Sequence, residues 1–149
     1  MMEPYIQLNA NKKIPVPPIA KLIGFFPTEI KSGETTFELE TKEVHFNPMG
    51  TVHGGVLSDL ADAAMGLAYS TLLKENETFT TIELKINFLK PIWLTTLKAH
   101  AKVIKKGKTI GYIDCSIYDG DGAIVAMASS TCMTLTGENA KNRKLENNT

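Results

Sequence analysis

The sequence predicts an α+β fold in which one long helix is wrapped by a single curled, mostly antiparallel β-sheet of five to six strands. Three observations predict it. Residues 56–73 carry the one long run of helical apolar spacing, four later stretches carry period-two alternation, and a shorter pair of alternating arms precedes the helix. A lone helix this apolar has to be covered on most of its surface, and a curled sheet is the cover the chain supplies.

The elements follow in order. Residues 1–13 read as polar and irregular. Pro15, Pro17 and Pro18 lead into Ile19–Gly24, a short helix with Pro at its start and Gly at its end. Phe25–Ile30 and Thr35–Thr41, joined by the turn Lys31-Ser-Gly-Glu34, read as a hairpin. A loop covers Val44–Thr51. In the long helix, Val56–Leu73, an advance of 100° per residue gathers Val56, Leu57, Leu60, Ala61, Ala64, Leu67, Ala68 and Leu72 on one face. Ser58, Asp59, Asp62, Gly66 and Ser70 fall on the other, small and nearly uncharged, which implies a close cover there too. Thr80–Leu89 alternates strictly, with Ile82, Leu84, Ile86 and Phe88 opposite Thr81, Glu83, Lys85 and Asn87. Leu94–Ile104, Thr109–Tyr118 and Ala123–Leu135 complete the strands, linked by the turns Lys105–Lys108 and Asp119–Gly122. The chain divides into an extension (1–14), one domain (15–136) and a polar tail (137–149) expected to be disordered.

The bulk numbers narrow the function. Sixteen basic and sixteen acidic side chains balance to zero net charge, and no basic block stands out. That argues against nucleic acid or an anionic membrane as partner, since both need concentrated cationic surface. The start, Met-Met-Glu-Pro-Tyr, lacks the order of a secretory signal, so a cytoplasmic location is expected. Cys115 and Cys132 have neither metal-ligand spacing nor disulfide density and read as reduced core thiols.

The chemistry concentrates in Asn47-Pro-Met-Gly-Thr-Val-His53-Gly54-Gly55-Val-Leu-Ser-Asp-Leu-Ala-Asp62. Between Thr51 and Leu73 there is no Lys, Arg or Glu, and the only carboxylates are Asp59 and Asp62. A helix start offers free backbone N–H groups and the positive end of a dipole, and glycine there lets a ligand oxygen come close. Small neighbours around Asp62 imply partial burial and a pKa raised toward useful basicity. Asp59 lies nearer the helix start, where a carboxylate often only answers the dipole. A single His without ligand companions makes no metal site, and none is expected.

At these residues the chain resembles the hotdog-fold acyl-CoA thioesterases of the phenylacetate-pathway (PaaI-like) branch. The resemblance covers roughly residues 20–136. Its most specific part is Asn47, the run Gly50-Thr-Val-His53-Gly54-Gly55, and Asp62, which follows Asn47 by 15 residues and His53 by nine. Thr81-Ile-Glu83, Asn87-Phe, Pro91 and Gly107-Lys108-Thr109 also fit its pattern in order.

The resemblance implies hydrolysis of an acyl- or aryl-acyl-CoA, with coenzyme A as part of the substrate and no separate cofactor. It further implies a homodimer or dimer of dimers, joined sheet edge to sheet edge, with each active site across the dimer interface. Gly54 N–H would be the main oxyanion donor and Asp62 the carboxylate, as general base or as nucleophile. Asn47 would hold the lytic water or the thioester oxygen, and His53 would position the thioester or brace the loop. Thr81 would help orient the water. Gly55, Met65, Tyr69 and Phe88 are candidate acyl-pocket residues. Lys105, Lys106, Gly107, Lys108 and Thr109 are candidates for the coenzyme arm, although exposed turn lysines are more often solubilising. Two other readings stay open. One is a non-catalytic acyl-CoA-binding module, which no DNA-binding helix pair or basic patch accompanies. The other is a β-hydroxyacyl dehydratase or enoyl hydratase, for which the acid should fall five residues after Gly55, where Leu60 stands.

Overall fold

The computed structural model describes residues 5–9 and 12–143. Strands β1 (Tyr5–Asn9) and β2 (Lys12–Pro15) form a separate antiparallel hairpin, followed by the short helix α1 (Pro18–Ile23). Then come β3 (Phe26–Lys31), β4 (Glu34–Glu40), the long helix α2 (Gly54–Ser70), β5 (Thr78–Phe88), β6 (Thr96–Lys106), β7 (Ile110–Tyr118) and β8 (Ile124–Leu135). The last six strands make one antiparallel sheet in the order β3-β4-β6-β7-β8-β5, with β3 and β5 as its free edges. The sheet curls around α2 without closing, as the hotdog fold requires.

Local chemistry sets these boundaries. Pro18 opens α1 where no N–H is needed, and Gly24 closes it at φ +100°, returning its N–H to Ala20 O at 2.8 Å. α2 starts two residues earlier than its apolar pattern does, because the His53 ring accepts the Gly55 N–H at 2.8 Å and caps the first turn. It stops at Ser70 rather than Leu73. Thr71 follows as its C-cap, and the Thr71 hydroxyl accepts the Gly33 N–H at 2.8 Å.

The core lies between α2 and the concave face of the sheet. Leu60, Ala61, Ala64, Met65, Ala68 and Tyr69 of α2 are fully buried, against Leu97, Ala99 and Ala101 of β6 and Ile113, Cys115 and Ile117 of β7. Thr35 on β4, also buried, donates to Ala64 O at 2.7 Å. The Tyr69 hydroxyl bonds Thr134 Oγ1 at 2.7 Å, and its ring meets Phe79 edge-on at 5.6 Å. Gly111 has to lack a side chain here, since a Cβ would stand 2.2 Å from the Tyr69 ring. Burial pushes the Cys115 thiol up to about 12, which keeps it protonated.

Three expectations need correction. Residues 1–13 are not simply polar and irregular: within them and the proline segment that follows, Ile6, Leu8, Ile14 and Val16 are buried. The strict alternation read through Thr80–Leu89 also fails, because the β5/β8 register shifts between Thr81 and Glu83 and leaves Ile82 as an extra residue. Phe79 and Thr81 face α2 before this bulge, while Leu84, Ile86 and Phe88 pack toward it after. The inward set therefore passes from odd to even positions. Of the tail expected to be disordered, Gly137–Ala140 forms a 3-10 turn and the Arg143 guanidinium donates to Phe79 O. Residues 144–149 lie outside the described residues.

Candidate active site

Asp62 sits in the middle of α2, on the side that the curled sheet leaves open. Its Oδ1 accepts a 3.3 Å hydrogen bond from the Thr81 hydroxyl of β5. The bulge at Ile82 makes that contact possible, since unbroken alternation would put Thr81 and Phe88 on opposite faces. In the single chain the Asp62 side chain still meets solvent, but protein atoms crowd it on the cavity side. That loss of water raises its pKa above the ordinary aspartate range, Thr81 opposes the rise, and Asp59 adds to it. Asp59 is exposed, and among the described residues no hydrogen bond or ion pair ties it to Thr81 or Asp62. Thr81 thus holds one Asp62 oxygen, and among the described residues no hydrogen bond reaches the other.

The pH behaviour follows. A carboxylate acts as base or nucleophile only when ionised, so a reaction that uses Asp62 is expected to speed up as pH rises through the raised Asp62 value. The Thr81 hydroxyl stabilises the ionised form. Thr81→Val keeps the branched strand shape and removes this donor, so the acid limb of the kcat/KM profile is expected at higher pH than in the wild type. An unmoved limb would exclude Thr81 from tuning Asp62.

The second group of residues lies at the start of α2. Asn47 builds the preceding loop: its Oδ1 accepts the Met49 and Thr51 N–H groups at 2.9 and 3.2 Å, and Nδ2 donates to Thr51 Oγ1 at 3.0 Å. The carbonyl oxygen is thus committed, and one Nδ2 hydrogen is left. Backbone bonds from Val52 N–H to Ile92 O and from His53 N–H to His45 O, both 2.8 Å, fix the entry to the helix. His45 is buried and itself held, with Nδ1 accepting from Lys42 N–H at 2.9 Å and Nε2 against Ile23 O at 2.8 Å. His53 Nδ1 takes the Gly55 N–H and His53 O takes the Val56 N–H. Among the described residues no acceptor meets the Gly54 N–H. Asn47, Gly54 and Phe88 together line a cavity of about 360 Å³. A Cβ on Gly54 would stand 2.7 Å from the Phe88 ring, so only glycine leaves this corner open.

Asp62 and Thr81 line a different cavity, of about 750 Å³. Within one chain the two groups are apart by construction: eight helical residues separate Gly54 from Asp62, roughly 12 Å along the axis.

The family model described as Thioesterase superfamily matches residues 49–126, more than half of the chain. The chain belongs to the thioesterase superfamily. It is a thioester hydrolase of the PaaI-like kind. A candidate esterase of Saccharolobus solfataricus is 30% identical over 133 residues, spanning 89% of this chain and 88% of that protein. The structure of the Escherichia coli PaaI protein, from the phenylacetic acid degradation operon, superposes with a TM-score of 0.74 at 26% identity, covering 80% of this chain and 85% of that one. Acyl-coenzyme A thioesterase 13 of Pongo abelii is 25% identical over 101 residues, 66% of this chain and 71% of its own length.

Other candidate residues of this thioesterase fall away from both cavities. Met65 and Tyr69, read as acyl-pocket wall, line neither and belong to the core against the sheet. Gly55 is exposed, its N–H already taken by His53. The Lys105–Thr109 segment lies by the C-terminal end of α2, where Lys106 Nζ is 3.7 Å from Glu77 and 5.9 Å from the Tyr69 ring centre. Lys105, Lys108 and Thr109 are exposed, and Gly107 donates to Ile110 O at 2.8 Å. Cavity residues not anticipated are Ala63, Gly66 and Phe79, with Ile6, Ile14 and Val16 from the N-terminal segment. Gly66 could have been found as the small residue one helical turn beyond Asp62. Among the described residues no helix is long and apolar enough to cross a membrane, and no group of three or more His, Cys, Asp or Glu could hold a metal.

Proposed function

We propose that the protein hydrolyses the thioester of an acyl-CoA to free acid and CoA, in a site that two copies of the chain build together. The observation that carries this reading is the separation of the two half-sites. An oxyanion lies about 3 Å from its donor and the attacking atom about 3 Å from the carbonyl carbon. Groups roughly 12 Å apart along one helix axis cannot meet at one carbonyl. β5 supplies a way to join copies, being a free edge of 11 residues with Ile82 and Phe88 more than half exposed. Pairing two such edges about a two-fold axis runs the two α2 helices antiparallel, bringing the Gly54 end of one toward the middle of the other.

In that arrangement Gly54 N–H and the remaining Asn47 Nδ2 hydrogen of one copy polarise the carbonyl, and Asp62 of the other acts on its carbon. By one route Asp62 takes a proton from water as the water oxygen attacks; the C–S bond then breaks and the thiolate leaves protonated by Asp62. By the other route Asp62 attacks directly, the thiolate leaves, and water splits the resulting mixed anhydride. His53 serves as the helix cap that occupies Gly55 N–H and so leaves Gly54 as the free donor. The Lys105–Thr109 turn is a candidate contact for the coenzyme phosphates. Substrate hydrolysis needs no cofactor in this scheme.

Purified protein offered a panel of acyl-CoAs should release free thiol in step with free acid. Binding without release would instead favour the acyl-CoA-binding module. A single turnover in ¹⁸O-water run beside a hydroxylamine trap separates the routes: label in the Asp62 carboxylate or a trapped Asp62 hydroxamate marks direct attack, and label only in the product acid with nothing trapped on Asp62 marks general base catalysis.

A further inference from the structure

The hydrolytic scheme leaves the N-terminal hairpin without a task. β1 and β2 pair with each other and with no strand of the main sheet, and they precede the residues matched by the family model. Even so, Ile6, Leu8 and Ile14 are each only 8% exposed and Val16 7%. Three of them, Ile6, Ile14 and Val16, line the gap that the open sheet leaves between its edges β3 and β5. There Ile6, Ile14 and Val16 roof the cavity of about 750 Å³, with Phe26 of β3 and Phe79 of β5 as walls and Gly66 in the floor.

The cavity is tied to the chemistry. Along α2 its lining begins at Asp62 and continues through Gly66 to Ser70, two turns or roughly 12 Å of helix. Its shape is a groove leaving the carboxylate, and Gly66 keeps it open: a Cβ there would already press to 3.3 Å of the Phe79 ring. Three of its polar side chains already give a hydrogen to the protein's own backbone. Ser70 Oγ donates to Gly66 O at 2.8 Å, Thr28 Oγ1 to Thr36 O at 3.4 Å and Gln7 Nε2 to Lys12 O at 3.4 Å. A phenol hydroxyl or second carboxylate carried into this mostly apolar groove would give up its water and compete with these internal bonds, and where it is left unpaired the cost is roughly tenfold to hundredfold in affinity. A hydrocarbon chain would lose nothing. At about 30 Å³ per water-sized group, ten to sixteen carbons need about 300–500 Å³, which the cavity holds.

We propose that the hairpin and the α2 groove beneath it form the subsite for a long, unbranched aliphatic acyl chain. It runs from the thioester at Asp62 under Ile6, Ile14 and Val16. This rests on the hydrolase reading above and adds its substrate class. Each methylene buried is worth about fourfold in binding. The expected kcat/KM therefore climbs steeply from butanoyl- to dodecanoyl-CoA and leaves phenylacetyl- and 4-hydroxybenzoyl-CoA well below the long chains. Ile14→Trp fills the groove, so the ratio of dodecanoyl- to butanoyl-CoA hydrolysis should fall about tenfold or more. Ile14→Ala, which adds no bulk, should move the preferred length upward. A flat length profile, a preference for the aryl thioesters, or an unchanged ratio in both variants with unaltered circular dichroism would overturn the subsite while leaving the hydrolase standing. Failure to cleave any thioester in the panel would remove the hydrolase reading and the subsite together.

Discussion

Asp62→Asn is expected to abolish most thioester hydrolysis, lowering kcat by about 10²–10⁴-fold, the usual worth of a placed base, and by more if Asp62 attacks directly. The change is nearly isosteric. The amide oxygen can still accept from Thr81, so the α2–β5 contact survives, but an amide neither takes a proton from water nor attacks a thioester. The same substitution makes an independent prediction about stability. Asp62 has its pKa raised on folding, chiefly by desolvation. The native state therefore holds this proton more tightly than the unfolded chain, and stability falls as pH climbs from the ordinary aspartate range through the raised value. At neutral pH the wild type carries that cost and the Asn variant does not. The variant should melt at an equal or higher temperature at neutral pH, with the advantage shrinking at acid pH, where Asp62 is protonated in both states. Wild-type turnover in a variant that behaves this way would remove Asp62 from the chemistry.

How far the sequence speaks depends on the range of the interaction. The helix and the five strands from β4 onward announce themselves because each carries its own period, and the site residues from Asn47 to Asp62 sit in one continuous run whose lack of long charges is visible without a fold. The bulge at Ile82 has no such mark. Ile82, Leu84, Ile86 and Phe88 alternate without interruption, and the extra residue is decided by pairing with β8 and by Thr81 turning toward Asp62. The hairpin is hidden differently. Ile6 and Leu8, and Ile14 and Val16, do alternate, but among lysines, asparagines and prolines the runs are too short to stand out, and the gap between β3 and β5 that Ile6, Ile14 and Val16 line exists only once the sheet has curled. Met65 and Tyr69 read as pocket residues for want of the same information: the sheet covers their side of α2 and leaves the Asp62–Gly66 side open.

Gly54→Pro should be nearly as damaging as Asp62→Asn, and for a reason that side-chain truncation cannot reach. Gly54 is the first residue of α2, the position where proline is best tolerated because its N–H has no helical partner. His53 before it is extended at φ −65°, ψ 135°, as a residue preceding proline must be. The substitution therefore removes the unpartnered donor while leaving the helix able to form, and loss of one such donor costs about 10²–10³ in kcat. Gly54→Ala is the control. It keeps the N–H and brings a Cβ toward the Phe88 ring, which is 54% exposed and free to swing away. If crowding against Phe88 alone were responsible, both variants would lose the same activity; if the donor matters, proline loses far more. Mixing then tests the shared site. Dimers reassembled from equal amounts of Gly54→Pro and Asp62→Asn chains are half heterodimers, and each heterodimer holds one site with both groups intact. About a quarter of wild-type activity should return from two nearly dead proteins. A site contained within one chain would return none, because every chain in the mixture lacks one of the two groups.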